Sequence, residues 1–208
     1  MSASWLRAGV IAAALVLQSA FLKAALPGPE EAPGRPSLAG QLLVAAPSMG
    51  DPRFEHAVIL IVQHDATGAL GIIINKPIGE RSLASLFEAL GQKGGDIAGN
   101  VRIFAGGPVQ PEVGFVLHGA DYRRPDTIAI SDRLSITSSA EILRDIGNNR
   151  GPVKVLVAFG YAGWGPDQLE REIEERAWGI AEADPTLIFD EDREKVWDDA
   201  WKHRTEHL

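Results

Sequence analysis

The chain has 208 residues, 45% of them apolar and 23% charged, with a formal net charge of -8. That length fits one domain, or two small ones, with a core that buries roughly 70% of the unfolded surface. The composition excludes fibrous and disordered classes. The absence of cysteine excludes a disulfide scaffold, a cysteine nucleophile, a zinc knuckle and an iron–sulfur ligand set.

Residues 1–26 form a hydrophobic extension, in which Arg7 is followed by an uncharged run over 8–22. Its 15 residues are short for a membrane span, which needs about 17–25, and match the apolar region of a secretory signal. Three readings are open: a cleaved signal peptide, a short anchor that contacts the membrane through 8–22, or an artefact of the assigned start. Residues 27–37, rich in Pro and Gly, read as a linker. The domain proper is expected over 38–204.

Within it, LLVA at 42–45 reads as a strand. AVILIVQ at 57–63 and ALGIIIN at 69–75, joined by HDATG, read as a hairpin ended by Pro77. The spacing of SLASLFEAL predicts a helix over 82–90 with Ser82 as N-cap, and a loop follows over 91–100. Strands are expected at 101–105 and 113–118, with a pair of short ones within 127–136. A helix capped by Ser138 follows over 138–147, then a buried strand over 153–159. The remaining elements are a helix over 166–178, a short strand over 186–189 and a final helix over 192–204. Strands in hairpins and strands alternating with helices together predict an α/β protein of the α+β type. The expected form is a single compact domain with a mixed sheet flanked by helices.

Charge is uneven. Residues 37–166 hold 11 Lys/Arg and 12 Asp/Glu, whereas 167–199 hold 4 and 13. An acidic face repels a phosphate backbone, so direct DNA binding is not expected from it. Phosphate-loop, dinucleotide, HExxH, EF-hand and GxSxG patterns are all absent. His56, His64 and His118 lie near strand ends but lack ligand spacing, so no metal is assigned. Ser48 with His64 and Asp65, or with Asp51, could be drawn as a nucleophile set; the simpler reading is that Ser48 and Asp51 cap the turn APSMGDPRF. In GYAGWGPDQLE, a strand runs through three glycines to a helix start. It reads as a tight turn with Tyr161 and Trp164 packed over it, as an anion site, or as an exposed protein-docking patch. Trp178, Trp197 and Trp201 fall on predicted helices, the last two on one face.

APSMGDPRF (46–54), INKP (74–77), GGPV (106–109), GFVLH (114–118) and GYAGWGPDQLEREI (160–173) together resemble the YqgE/AlgH family of bacterial proteins. The resemblance covers about 38–201. It implies a partly barrel-like mixed sheet, no established enzymatic activity, no cofactor and a cytoplasmic setting. One branch of that family is named as a transcriptional regulator, which implies action through an unknown protein partner. The candidate ligand or partner site carried over comprises Ser48, Asp51, Arg53, Asn75, Lys76, Gly107, His118, Tyr161, Gly163, Trp164 and Gln168, with no catalytic residue assigned. A small-anion site or unrecognised enzyme using Arg53, Lys76, His118 and the 160–168 turn is the alternative. One departure stands out: the family often has Asn before the Trp that follows the block, whereas Arg176 and Ala177 precede Trp178 here. Oligomeric state is not legible.

Overall fold

The computed structural model describes residues 36–89, 97–189 and 192–205. The hydrophobic extension at 1–26 and nearly all of the 27–37 linker lie outside them, as does most of the 91–100 loop. Ten strands form one sheet: β1 (Gln41–Ala45), β2 (Val58–Asp65), β3 (Gly68–Ile73), β4 (Pro77–Ser82), β5 (Asn100–Ala105), β6 (Val109–Gly119), β7 (Ile128–Ala129), β8 (Leu134–Thr137), β9 (Val155–Trp164) and β10 (Trp178–Glu182). Among the described residues five short helices accompany it: α1 (Leu83–Ala89), α2 (Glu141–Gly147), α3 (Gln168–Glu174), α4 (Pro185–Ile188) and α5 (Val196–Lys202). The sheet order is β10-β1-β2-β3-β9-β6-β8-β7, with β4 and β5 as a branch on β9. Only the β5–β9 contact among these pairings is parallel, so the sheet is mixed.

The sheet curls into a half-barrel, and side-chain alternation along each strand sorts the apolar residues onto its two faces. One face gathers Leu42, Leu60, Ile72, Phe115, Leu117, Ile136 and Leu156 from most of the strands, closed by Ile188, Val196 and Ala200 of α4 and α5. The opposite face carries two smaller clusters. Leu43, Ile59, Ile61, Trp164 and Trp178 pack beneath Leu169 of α3, while Val101, Val116 and Val157 pack beneath α1 and α2. One strand, β9, spans both halves and pairs with β3, β5 and β6.

The second strand of the hairpin stops at Ile73, before Pro77, and Pro77 opens a further, exposed strand, β4, paired with β5; Pro is tolerated at the first residue of an edge strand. Four local expectations need correction. Residues 160–164 are not a turn but the second half of β9. The helix expected over 166–178 stops at Glu174, and Trp178 pairs with Ala45 as a strand residue. The strand expected over 186–189 is instead α4: the Asp184 carboxylate accepts from Thr186 N–H and Pro185 stands at the first helical position, so capping overrides a short apolar run. Ser138 is buried, and it is Ser139 Oγ that accepts from Glu141 N–H at the start of α2. The Ser82 cap holds, its Oγ accepting from Ser85 N–H at 3.1 Å.

Candidate functional site

The motif residues first explain how the strands are knitted. In the box following β1, Asp51 accepts from Arg53 through both backbone N–H and guanidinium, an Asx turn closed by an ion pair. The Arg53 hydrogen bonds hold the Asp51 carboxyl down at about 2. Lys76 Nζ donates to Arg53 O at 2.9 Å, and burial lowers the Lys76 pKa. Asn75 Oδ1 accepts from Val58 N–H while its amide donates to His56 O. INKP thus pins the box to the start of β2. Ser48 lies exposed in that turn.

GGPV and GYAG meet where β9 exchanges β5 for β3. Gly106 N–H donates to Phe159 O at 2.7 Å, and Gly106 O accepts from Ile73 N–H at 2.8 Å. A Cβ on Gly107 would stand 2.0 Å from the carbonyl carbon of Tyr161, and one on Gly160 (φ +75°) would stand 2.4 Å from Gly107 O. These glycines are required by backbone crossing backbone; Gly107 serves packing in this structure.

Trp164 is 7% exposed, which fits the packed reading and not the exposed docking patch. Its Nε1–H donates to Glu172 Oε2 at 2.9 Å, and Trp178 Nε1–H donates to the same oxygen at 2.8 Å. The other oxygen accepts from the Gln168 amide, whose Oε1 accepts from Gly165 N–H. One carboxylate therefore gathers two indoles and the loop. Phe54 meets Trp178 edge-on at 5.7 Å, and Trp178 meets Trp164 edge-on at 6.0 Å. The box and the glycine block converge through Trp178. Neither Glu172 nor Trp178 stood out in the sequence as a site residue. The signal for Glu172 was its i+4 spacing from Gln168, which puts both on one helical face.

Tyr161 and Gly163 line a cavity of about 300 Å³ with Gln63, Thr67, Leu70 and Val109. No cation lines it. Nor does His118 reach it: His118 pairs with Val155, while Gly163 pairs with Leu70 eight residues further along β9, about 26 Å of strand at ~3.3 Å per residue. The alternative anion site of Arg53, Lys76, His118 and the 160–168 stretch is therefore not assembled in one place.

His118 is fully buried. Its Nδ1 lies 2.7 Å from Gly119 O, which can only accept, so the proton sits on Nδ1. Nε2 then accepts from Thr137 O–H, Thr137 Oγ1 accepts from Thr127 O–H, and Thr127 Oγ1 accepts from Arg124 N–H. The chain of donors runs in one direction and fits neutral imidazole. Burial lowers the His118 pKa from its ordinary 6.5. A folded-state value below the unfolded one means that the unfolded chain takes up the proton first. The stabilisation is complete above about 6.5 and is lost as pH falls from there toward the folded-state value. Urea titrations at pH 7.5 and 5.5 should show lower stability at 5.5, with a smaller difference in His118→Gln. Equal differences in both proteins would sink the assignment.

The nucleophile set is not assembled either. Leu38 N–H donates to His64 Nδ1 at 3.0 Å, leaving Nε2–H to donate to Glu170 at 2.9 Å. Asp65 accepts from Thr67 and Gln63 instead. The His56 ring lies against Trp197, tilted by 52° with 4.3 Å between centroids. Among the described residues no group of three or more His, Cys, Asp or Glu is placed to hold a metal, and no helix is long and apolar enough to cross a membrane.

A groove of about 720 Å³ lies between the ends of α3 and α5. Ala46, Pro47 and Ser48 of the box form one end; Ile173, Arg176, Trp178, Gly179, Trp201 and Arg204 contribute to the rest. The Arg204 guanidinium lies 4.0 Å from the Trp201 ring centroid, and Trp201 stacks on Trp197 at 5.9 Å.

A half-barrel sheet knitted by box, INKP, GGPV and glycine-block residues defines a single class of protein, and the comparisons agree with it. The AlgH-like family, DUF179, matches residues 42–207. A UPF0301 protein of Methylococcus capsulatus is 42% identical over 175 residues, covering 84% of this chain and 96% of that one. Another, from Jannaschia sp., is 44% identical over 165 residues, covering 78% and 86%. The solution structure of AlgH from Pseudomonas aeruginosa superposes with a TM-score of 0.69 at 34% identity, covering 85% of this chain and 92% of that one. A Corynebacterium diphtheriae crystal structure shares the fold, with a TM-score of 0.59 at 24% identity, covering 82% and 87%. The chain belongs to the AlgH-like, UPF0301 family.

Proposed function

We propose that this protein is a non-enzymatic binding module that works through a protein partner seated in the groove between α3 and α5. Its effect on transcription is exerted through that partner rather than by contact with DNA. The observation that carries this reading is the groove's make-up. Trp178, Trp201, Arg176 and Arg204 line it beside the exposed box residue Ser48, and Trp and Arg are the residues that dominate binding hot spots. The acidity of residues 167–199, with 13 Asp/Glu against 4 Lys/Arg, argues against a phosphate backbone as the partner.

Cross-linking and affinity capture of the full chain in its own cells test this. Ser48→Trp, which fills the groove mouth, should remove a specific partner at least tenfold. Ile78→Asp on the exposed β4, which does not line the groove, should leave that partner in place. A partner retained by a folded Ser48→Trp protein would place docking elsewhere. We also propose a cytoplasmic location, following the family resemblance. An intact mass from membrane or periplasmic fractions, with residues 8–22 retained or removed, would overturn it.

A further inference from the structure

We infer that the cavity over Tyr161 and Gly163 binds a small uncharged molecule with an apolar body and an amide edge, one carbonyl beside one N–H. This goes beyond the docking reading, and the cavity shares no lining residue with the groove between α3 and α5.

The sheet register builds the floor. A bulge between Ile61 and Gln63 sets Gln63 opposite Leu70; Leu70 stands opposite Gly163, and Val109 opposite Tyr161. Directly opposed residues share a face, as do residues two apart on one strand. Leu70 and Tyr161 pack against the cluster of Leu42, Leu60 and Phe115, so the cavity lies on that face. Its volume of about 300 Å³ stands at the lower end of the roughly 300–1,000 Å³ typical of small-molecule sites. The ends of the described segments lie elsewhere. Leu38, α1 and Ile97 pack on the opposite face. Phe189 lines a different cavity with Gly119, at the other end of β6 from Val109. Thr205 is bridged to Ile180 on β10.

Gly163 is the first mark of a ligand. A Cβ there would meet only the Tyr161 ring, at 3.4 and 3.9 Å, and its φ is not left-handed. Neither backbone conformation nor backbone crossing calls for glycine, unlike at Gly107 and Gly160. A glycine inside a strand weakens it, and marks a place where something approaches the sheet closely. The polar groups are the second mark. Gln63 Nε2 donates to Asp65 Oδ2 at 2.7 Å, which commits the amide nitrogen and leaves the carbonyl oxygen. Among the described residues neither Gln63 Oε1 nor the Tyr161 hydroxyl has a hydrogen-bond partner. Tyr161 O–H can donate to a carbonyl, while Gln63 Oε1 can only accept, from an N–H. No Lys, Arg, His, Asp or Glu lines the cavity. A charged ligand would therefore lose its hydration with no opposite charge in return. Leu70, the half-exposed Val109 and the Tyr161 ring take the apolar body.

The test titrates the full, isotope-labelled chain with ε-caprolactam, an uncharged cyclic amide, and follows the backbone amide chemical shifts. N-methylcaprolactam, which lacks the N–H, and cyclohexanecarboxylate, which carries a charge, are the comparisons. Caprolactam should shift Leu70, Val109 and Gly163 saturably, and bind at least fivefold more tightly than either comparison compound. Tyr161→Phe should weaken caprolactam at least fivefold with Tm unchanged, because that hydroxyl bonds to nothing in the described protein. Gly163→Ala should weaken it as much without lowering Tm, because alanine suits a strand better than glycine. Loss of binding at constant stability separates this role from a structural one. The inference is overturned by the absence of a saturable shift, by shifts centred away from these residues, or by equal affinity for N-methylcaprolactam or the carboxylate. Undiminished binding in Tyr161→Phe, or weaker binding accompanied by a lower Tm in both variants, would also overturn it. So would binding only after removal of residues 1–36, which would assign the cavity to the chain's own N-terminal segment.

Discussion

Gly107→Ala should cost roughly 4 kcal/mol or more, placing it in the exceptional tail of single substitutions and against a total stability of about 5–15 kcal/mol. The added methyl would stand 2.0 Å from Tyr161 C, 2.2 Å from Tyr161 O and 2.4 Å from Ala162 N. All three are backbone atoms of β9, paired on both sides, so no side chain can rotate away to make room. The φ of +156° at Gly107 adds a conformational cost for any residue with a Cβ. Gly50→Ala is the matched control, because nothing lies within 4 Å of the added methyl there; it should stay within about 0.5 kcal/mol of the wild type. Urea unfolding followed by circular dichroism compares the two. A Gly107→Ala protein as stable as Gly50→Ala would mean that β9 does not cross the GGPV segment as described.

Glu172→Ala should cost about 3 kcal/mol, because hydrogen bonds to a charged group contribute about 1.5–3 kcal/mol each and the carboxylate accepts three of them. The figure stays at the lower end because Glu172 is only half-buried and water replaces part of what is lost. For a domain of this size that corresponds to a fall of about 6–12 °C in Tm. Glu172→Gln keeps one acceptor oxygen and should fall between. Glu175→Ala, one residue beyond the helix and exposed, should be nearly neutral. Tryptophan fluorescence gives an independent readout, since the indole N–H groups of Trp164 and Trp178 would turn to water. A Glu172→Ala protein within about 0.5 kcal/mol of the wild type would remove the carboxylate from the account of why the box and the glycine block meet.

These two predictions separate the stability of the motif residues from any binding role. Gly106, Gly107 and Gly160 are needed for one backbone to pass another, and Asn75 and Lys76 for tying INKP to the box. His118 orders a row of hydroxyls inside the sheet. The residues that face the groove are a different set: Ser48, Arg176, Trp201 and Arg204. Of these, Ser48 alone was among the expected site residues. Arg176 was visible in the chain, but only as a departure from a family pattern.

The local grammar of the chain already held the hairpin of β2 and β3, the caps at Ser82 and Asp51, the shared face of Trp197 and Trp201, and the mixed sheet. Each depends on side chains within a few residues of one another, so period and turn chemistry suffice to read it. What lay beyond that reach was the choice of neighbours for β9. Its partners lie between about 40 and 95 residues away along the chain, and periodicity carries no record of which distant strand lies alongside. That choice turns the GYAGW stretch from a turn into a strand, buries Trp164, and separates His118 from the glycine block. The end of α3 is the other such case. Apolar spacing alone carries the helix on to Trp178, whereas pairing of Trp178 with Ala45 stops it at Glu174 and forces Arg176 left-handed. Tertiary pairing overrides local propensity there because a strand edge offers ladder hydrogen bonds that one more helical turn would forgo.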